Sequence, residues 1–118
     1  MDAEIRLVYV TTPDLDVART IARDVVASGL AACANILPGM ESLYRWQGKL
    51  QQAAETVLIL KCSVAGFAAL AARIKALYPY EVPCIIALPV SEGTPDYLDW
   101  LVRESAGVAL PVDGETML

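Results

Sequence analysis

The chain runs to 118 residues, room for one core on the usual scale of roughly 100–200 residues per domain, so a multidomain machine is excluded and residues 1–118 are expected to form a single domain. Hydrophobic residues make up 56% and the mean hydropathy is +0.47, which excludes a disordered chain and predicts apolar surface hidden by association of like subunits. The net charge of −5 and pI near 4.5 exclude a nucleic-acid surface, because such a surface needs clustered Lys and Arg to displace counterions.

Ile5 to Thr12 is rich in β-branched and aromatic residues and predicts a first strand. Thr12-Pro13-Asp14 follows, with a capping hydroxyl, a proline at the first helical position and an acid at the positive end of the dipole. It predicts a helix over 13–28, whose apolar stripe is Val17, Ala18, Ile21, Ala22, Val25 and Val26 and whose stop is Ser28-Gly29. Leu30 to Leu37 and Met40 to Trp46, broken by Pro38-Gly39, read as one long bent strand. Gln47-Gly48 is the turn and Thr56 to Leu60 the partner strand, with Lys49 to Glu55 extending a hairpin that protrudes from the domain.

Ser63 is placed to cap a second helix over 64–77, with Phe67, Leu70, Ala71, Ile74 and Leu77 as its stripe and Pro79 beyond its end. Cys84 to Val90 predicts a fourth strand, with Pro89 forcing its end to an edge or bulge. Thr94-Pro95-Asp96 repeats the start signal and opens a short helix over 95–104. Val108 to Leu118 reads as a small strand or a docked extension. The order β-α-β-β-α-β plus a C-terminal helix is an α+β, ferredoxin-like plan. Right-handed crossovers put both main helices on one sheet face, leaving the other for identical subunits to cover.

The longest stretch without a charge, Val25 to Met40, contains Gly, Pro and Asn and is too short for a membrane span. Asp2 and Glu4 stand where a secretion signal would be basic, so a cytoplasmic location is expected. Cys33, Cys62 and Cys84 are odd in number and widely spaced, with no histidine in the chain, which is not a zinc framework. Without histidine every Ser/His or Cys/His nucleophile fails, and no phosphate-loop or metalloprotease motif occurs, so the reading is not an enzyme. Thr12-Pro13-Asp14 and Thr94-Pro95-Asp96 are explained as helix starts.

Tyr44, Trp46, Tyr78, Tyr80, Tyr97 and Trp100 exceed the needs of a small core and point to interface anchoring ahead of a ligand pocket. Glu55 and Lys61 lie six residues apart and so on one sheet face, either lining a polar pocket or marking the wet ends of a strand. Cys33 sits in an apolar run that favours core packing, whereas Cys62 and Cys84 sit at strand ends where exposure is expected. Thiolates at such places suit a soft ion such as Cu(I), which needs no imidazole.

Several segments together resemble the CutA family of divalent-cation tolerance proteins. They are Val10-Thr11-Thr12-Pro13-Asp14, Leu30-Ala31-Ala32-Cys33-Ala34-Asn35-Ile36, Tyr44-Arg45-Trp46-Gln47-Gly48-Lys49, Leu60-Lys61-Cys62, Tyr78-Pro79-Tyr80-Glu81-Val82-Pro83, Ile85-Ile86-Ala87-Leu88-Pro89-Val90 and Gly93-Thr94-Pro95-Asp96-Tyr97-Leu98-Asp99-Trp100, in order over about residues 5 to 102. The resemblance implies a ferredoxin-like homotrimer in the cytoplasm that serves tolerance or response to copper and other divalent metals. It carries Cys33 over as a metal candidate, while Tyr78 stands where the family usually has His and Cys84 where it usually has an acid or amide, so that Cys84, the second metal candidate, tilts the site toward softer metal. It maps an inter-subunit cleft to Trp46, Glu55, Lys61, Tyr80 and Pro83, a set suited to a small anion or zwitterion. Two other readings stay open, a small-ligand-sensing trimer built like the nitrogen-regulatory signalling proteins and a structural trimer that anchors a partner.

Overall fold

The computed structural model describes residues 4–111. Strand β1 spans Ile5–Thr12, helix α1 Leu15–Ala27, strands β2 and β3 Cys33–Trp46 and Lys49–Ser63, helix α2 Phe67–Leu77, strand β4 Cys84–Pro89 and helix α3 Pro95–Glu104. The four strands form one sheet in the order β2-β3-β1-β4, every neighbour antiparallel. This is the expected ferredoxin-like plan with its added helix. The end of the expected C-terminal extension, 112–118, lies outside the described residues.

Two helix starts differ from expectation. Thr12 is the last residue of β1, fully buried, and its hydroxyl donates to the carbonyls of Thr56 (2.9 Å) and Asp14 (3.1 Å). The cap of α1 is Asp14, whose carboxylate accepts the Val17 N–H at 2.9 Å. Pro13 only joins the strand to the cap, so the helix begins at Leu15 rather than 13. Ser63 likewise makes no capping bond. The Val64 N–H instead donates to the Glu4 carbonyl at 2.7 Å, extending the sheet, and one 3₁₀ turn over Val64–Gly66 delays α2 to Phe67.

The β2-β3 pair runs from Cys33↔Lys61 to Trp46↔Lys49, with one irregularity between Leu37 and Met40, where Pro38-Gly39 stand. Gly39 takes φ +85°, a conformation glycine adopts without strain. At the tip Gln47 and Gly48 take φ 51° and 77°, the two positive values of a type I′ turn, whose twist matches the strands. β1 pairs with β3 only over Thr56 to Ser63. The seven residues Lys49 to Glu55 therefore extend past the body by about 23 Å at 3.3 Å per residue. The Cα radius of gyration, 15.0 Å, exceeds the roughly 13.5 Å of a compact chain this long.

Alternation along β1 and β3 turns Val8, Val10, Leu58, Leu60 and Cys62 toward the helices, where they bury against Ile21 and Val25 of α1 and Leu70 and Ile74 of α2. Each such aliphatic side chain contributes about 1.5–3 kcal/mol on burial. α3 lies on the opposite sheet face, where Leu101 buries with Ile5 and Ala32. It covers one end of that face only, so the expected open face exists and is open in part.

Candidate functional site

Pairing fixes which side chains share the α3-bearing face. Leu7, Tyr9 and Thr11 of β1 oppose Lys61, Ile59 and Val57 of β3 on one side and Leu88, Ile86 and Cys84 of β4 on the other. β2 adds Cys33, Asn35 and Leu37. Beyond the irregularity, Met40 and Trp46 rejoin this face opposite Glu55 and Lys49, and the Tyr9 hydroxyl reaches the Met40 sulfur at 3.5 Å. Cys33, Cys84, Trp46, Glu55 and Lys61 thus share one surface, and Tyr80 and Pro83 lie in the loop entering β4. Leu37, Ile86 and Leu88 on it are 54%, 53% and 48% exposed, an apolar area water leaves costly.

Sharing a face does not bring these residues together. Six strand residues separate Glu55 from Lys61, about 20 Å, and six more separate Lys49, the partner of Trp46, from Glu55. Cys33 stands level with Leu88 across three strand spacings, and Cys84 is four residues further along β4. The two thiols are therefore roughly 20 Å apart, far beyond the 4–5 Å that two sulfurs on one ion span. Among the described residues no group of three or more Cys, Asp or Glu is placed to hold a metal. Within one protomer the thiol pair does not fit a shared ion, and the cleft set does not form one cleft.

Two smaller clusters do form. At the α3 end the Lys61 ammonium donates to the Tyr97 hydroxyl at 2.9 Å and lies 5.2 Å from its ring centre, while that ring stacks on Trp100 with centroids 5.7 Å apart. The Tyr97 bond holds the Lys61 pKa above its ordinary value against the opposing effect of burial, and the neighbouring Cys33 adds to the rise. An ammonium has three donors, so two remain for an anionic group. At the hairpin root the Tyr78 hydroxyl donates to the Thr11 carbonyl at 2.6 Å, and Tyr80 meets the Tyr78 ring edge to face at 6.0 Å. Burial first, then the nearby Glu55, raises the Tyr78 pKa, so the phenol stays neutral where the resemblance has an imidazole.

Two of the three cysteine expectations invert, and Cys84, expected to be exposed, is half-buried. Cys62, expected near the surface, is fully buried beneath the helices, and burial pushes its thiol up to about 11. Cys33, expected in the core, is half-buried on the α3-bearing face, its sulfur 3.9 Å from the Asn35 side-chain oxygen. The available signal was the period of two: Leu58, Leu60 and Cys62 alternate onto one side. Nothing in the sequence paired Lys61 with Tyr97, 36 residues away, since only the fold sets α3 on the sheet.

Residues 6–104 match the family model of the CutA1 divalent ion tolerance protein. The chain is 50% identical over 101 residues to the divalent-cation tolerance protein CutA of Thermus thermophilus, covering 86% of this chain and 97% of that one. It is 44% identical to the chloroplastic protein CutA 1 of Oryza sativa, of which it spans 58%. The solved structure of the Thermus thermophilus protein superposes with a TM-score of 0.85 at 47% identity, over 86% of this chain and 99% of that one.

Proposed function

Since the chain belongs to the CutA1 divalent ion tolerance family, we propose that it is a cytoplasmic, non-enzymatic divalent-cation tolerance protein that works as a homotrimer and meets copper through its thiols. The observation that carries this reading is the half-covered sheet face. Its apolar residues Leu37, Ile86 and Leu88 and the hairpin residue Trp46 are exposed in one protomer, and two further copies supply the cover. A protomer holds its candidate residues too far apart to act together, so ligand contact is assigned to the junctions between copies or to single thiols. Cu(I) suits a sulfur site without imidazole.

Native mass spectrometry of the protein, alone and titrated with Cu(I), Cu(II) and Zn(II), tests this. The expected result is a trimer that takes up Cu(I) in whole-number steps, reduced by Cys33→Ser or Cys84→Ser. A trimer that takes up none of the three ions, or takes them up equally after both substitutions, would remove the thiols from the account.

The Lys61–Tyr97–Trp100 cluster favours a second reading, a trimer that senses a small anionic metabolite. A ligand of that kind raises the melting temperature in the presence of a chelator.

A further inference from the structure

We propose that α3 is a latched cover over the Lys61 end of the sheet face, and that the latch is the strap Gly107 to Leu110, laid across the C-terminal end of α1. A helix of ten residues is marginal alone, since isolated helices below about 12–15 residues rarely hold in water. α3 therefore depends on what it touches. Its anchor is Leu101 buried against Ile5 and Ala32, with Leu98 and Val90 half-buried beside them, and Thr94 gives its start no side-chain cap. At its other end the Ser105 hydroxyl donates to the Leu101 carbonyl at 2.6 Å, and the chain turns at Gly107 with φ +84°.

The strap is seated by main-chain groups that a helix end leaves unpaired. The Gly107 N–H donates to the Gly29 carbonyl at 2.9 Å and the Leu110 N–H to the Ala27 carbonyl at 2.8 Å. Gly29 is shaped for this crossing. Its φ of +77° ends α1, and a Cβ there would stand 2.6 Å from the Val108 nitrogen and 2.7 Å from its oxygen. Asparagine tolerates the left-handed backbone, but only glycine leaves room for the strap.

The consequence reaches Lys61. Tyr97 rides on α3, and its hydroxyl is the acceptor that holds the Lys61 ammonium. With the strap closed, the half-buried Lys61 is held by Tyr97 on the cover; with it open, α3 keeps only its Leu101 anchor and the Lys61 bond itself, and Lys61 is released more readily. This inference does not depend on which ion or metabolite the protein meets.

Lysine acylation read by mass spectrometry tests it on the full-length protein, comparing Lys61 with Lys75, which is exposed on α2 away from the cover. Two variants open the strap, Leu110→Pro, which removes a donor, and Gly29→Ala, whose Cβ takes the room of the Val108 backbone. Tyr97→Phe removes the acceptor directly. The expected result is a several-fold rise in the Lys61 to Lys75 ratio in all three, with Lys75 itself unchanged. A ratio unchanged in both strap variants, or in Tyr97→Phe, overturns the proposal, as does an equal rise at both lysines, which reports general loosening. Hydrogen exchange on the unaltered protein serves where a variant fails to fold. The latch predicts that α3 and the Gly107 and Leu110 amides exchange together and ahead of α1; α3 exchanging at the rate of α1 contradicts it.

Discussion

At the scale of the residue, the buried Cys62 makes a specific prediction about alkaline stability. Its folded pKa, about 11, lies above the ordinary value of 9.0, so the folded state keeps a proton that the unfolded state loses first. The stability this represents is complete below about pH 9 and lost as pH rises through about 11, an effect of order 2–3 kcal/mol at 1.36 kcal/mol per unit. Denaturant unfolding at pH 8 and above pH 11 should show that loss in the native sequence, and Cys62→Ala should show less of it. An identical loss in both proteins would move the alkaline sensitivity to other groups. Lys61 offers a second test, because its raised pKa rests first on Tyr97. In Tyr97→Phe its NMR titration should fall back toward the ordinary lysine value, and an unmoved midpoint would separate the two side chains. The misread caps belong to this scale too. Thr12 has the right side chain for a cap, but its hydroxyl is taken by the Thr56 carbonyl of the neighbouring strand, a partner 44 residues away that no local motif announces.

At the scale of the element, the hairpin and α1 are the parts most open to a local test. The tip is a type I′ turn with Gln at the first left-handed position, where Asn is preferred. Gln47→Asn should stabilise the protein by a few tenths of a kcal/mol, and Gly48→Ala should cost about 1 kcal/mol, since alanine pays for a positive φ. Asp14→Ala should cost about 1 kcal/mol through the lost Val17 bond, whereas a neutral Asp14→Ala in thermal unfolding would return the cap to Thr12. All four strands and three helices were legible from periodicity and turn chemistry, because β-branched alternation, Pro-Gly and Gln-Gly breaks and helical stripes are local signals. The 3₁₀ turn after Ser63 was not, because Val64 spends its N–H on Glu4, a contact made only when the strand ends meet. The site was legible as a set and not as a place. Period-two counting puts Glu55 and Lys61 on one face, but only the pairing of β2 with β3 adds Cys33, which its apolar run assigned to the core, and distance along the strands and the seating of α3 decide which of them act together.

At the scale of the whole molecule, one sheet face is closed by α1 and α2 and the other only partly by α3, and a hairpin reaching beyond the body carries Trp46, which is 49% exposed. In the proposed trimer two further copies of the chain cover that surface. Trp46→Ala should weaken the assembly by about 2 kcal/mol or more per junction, as loss of a buried aromatic anchor does, and so raise the protein concentration at which subunits separate. An assembly as tight as before would put the anchor elsewhere on the face. The most direct measurement is the mass of the unaltered protein in solution by sedimentation equilibrium. A trimer gives about 38 kDa, three times the 12.7 kDa chain, held on dilution, and this is the expected result. A species of 12.7 kDa across the same range would contradict it, because the exposed sheet face would then have no cover and the junctions to which ligand contact is assigned would not exist.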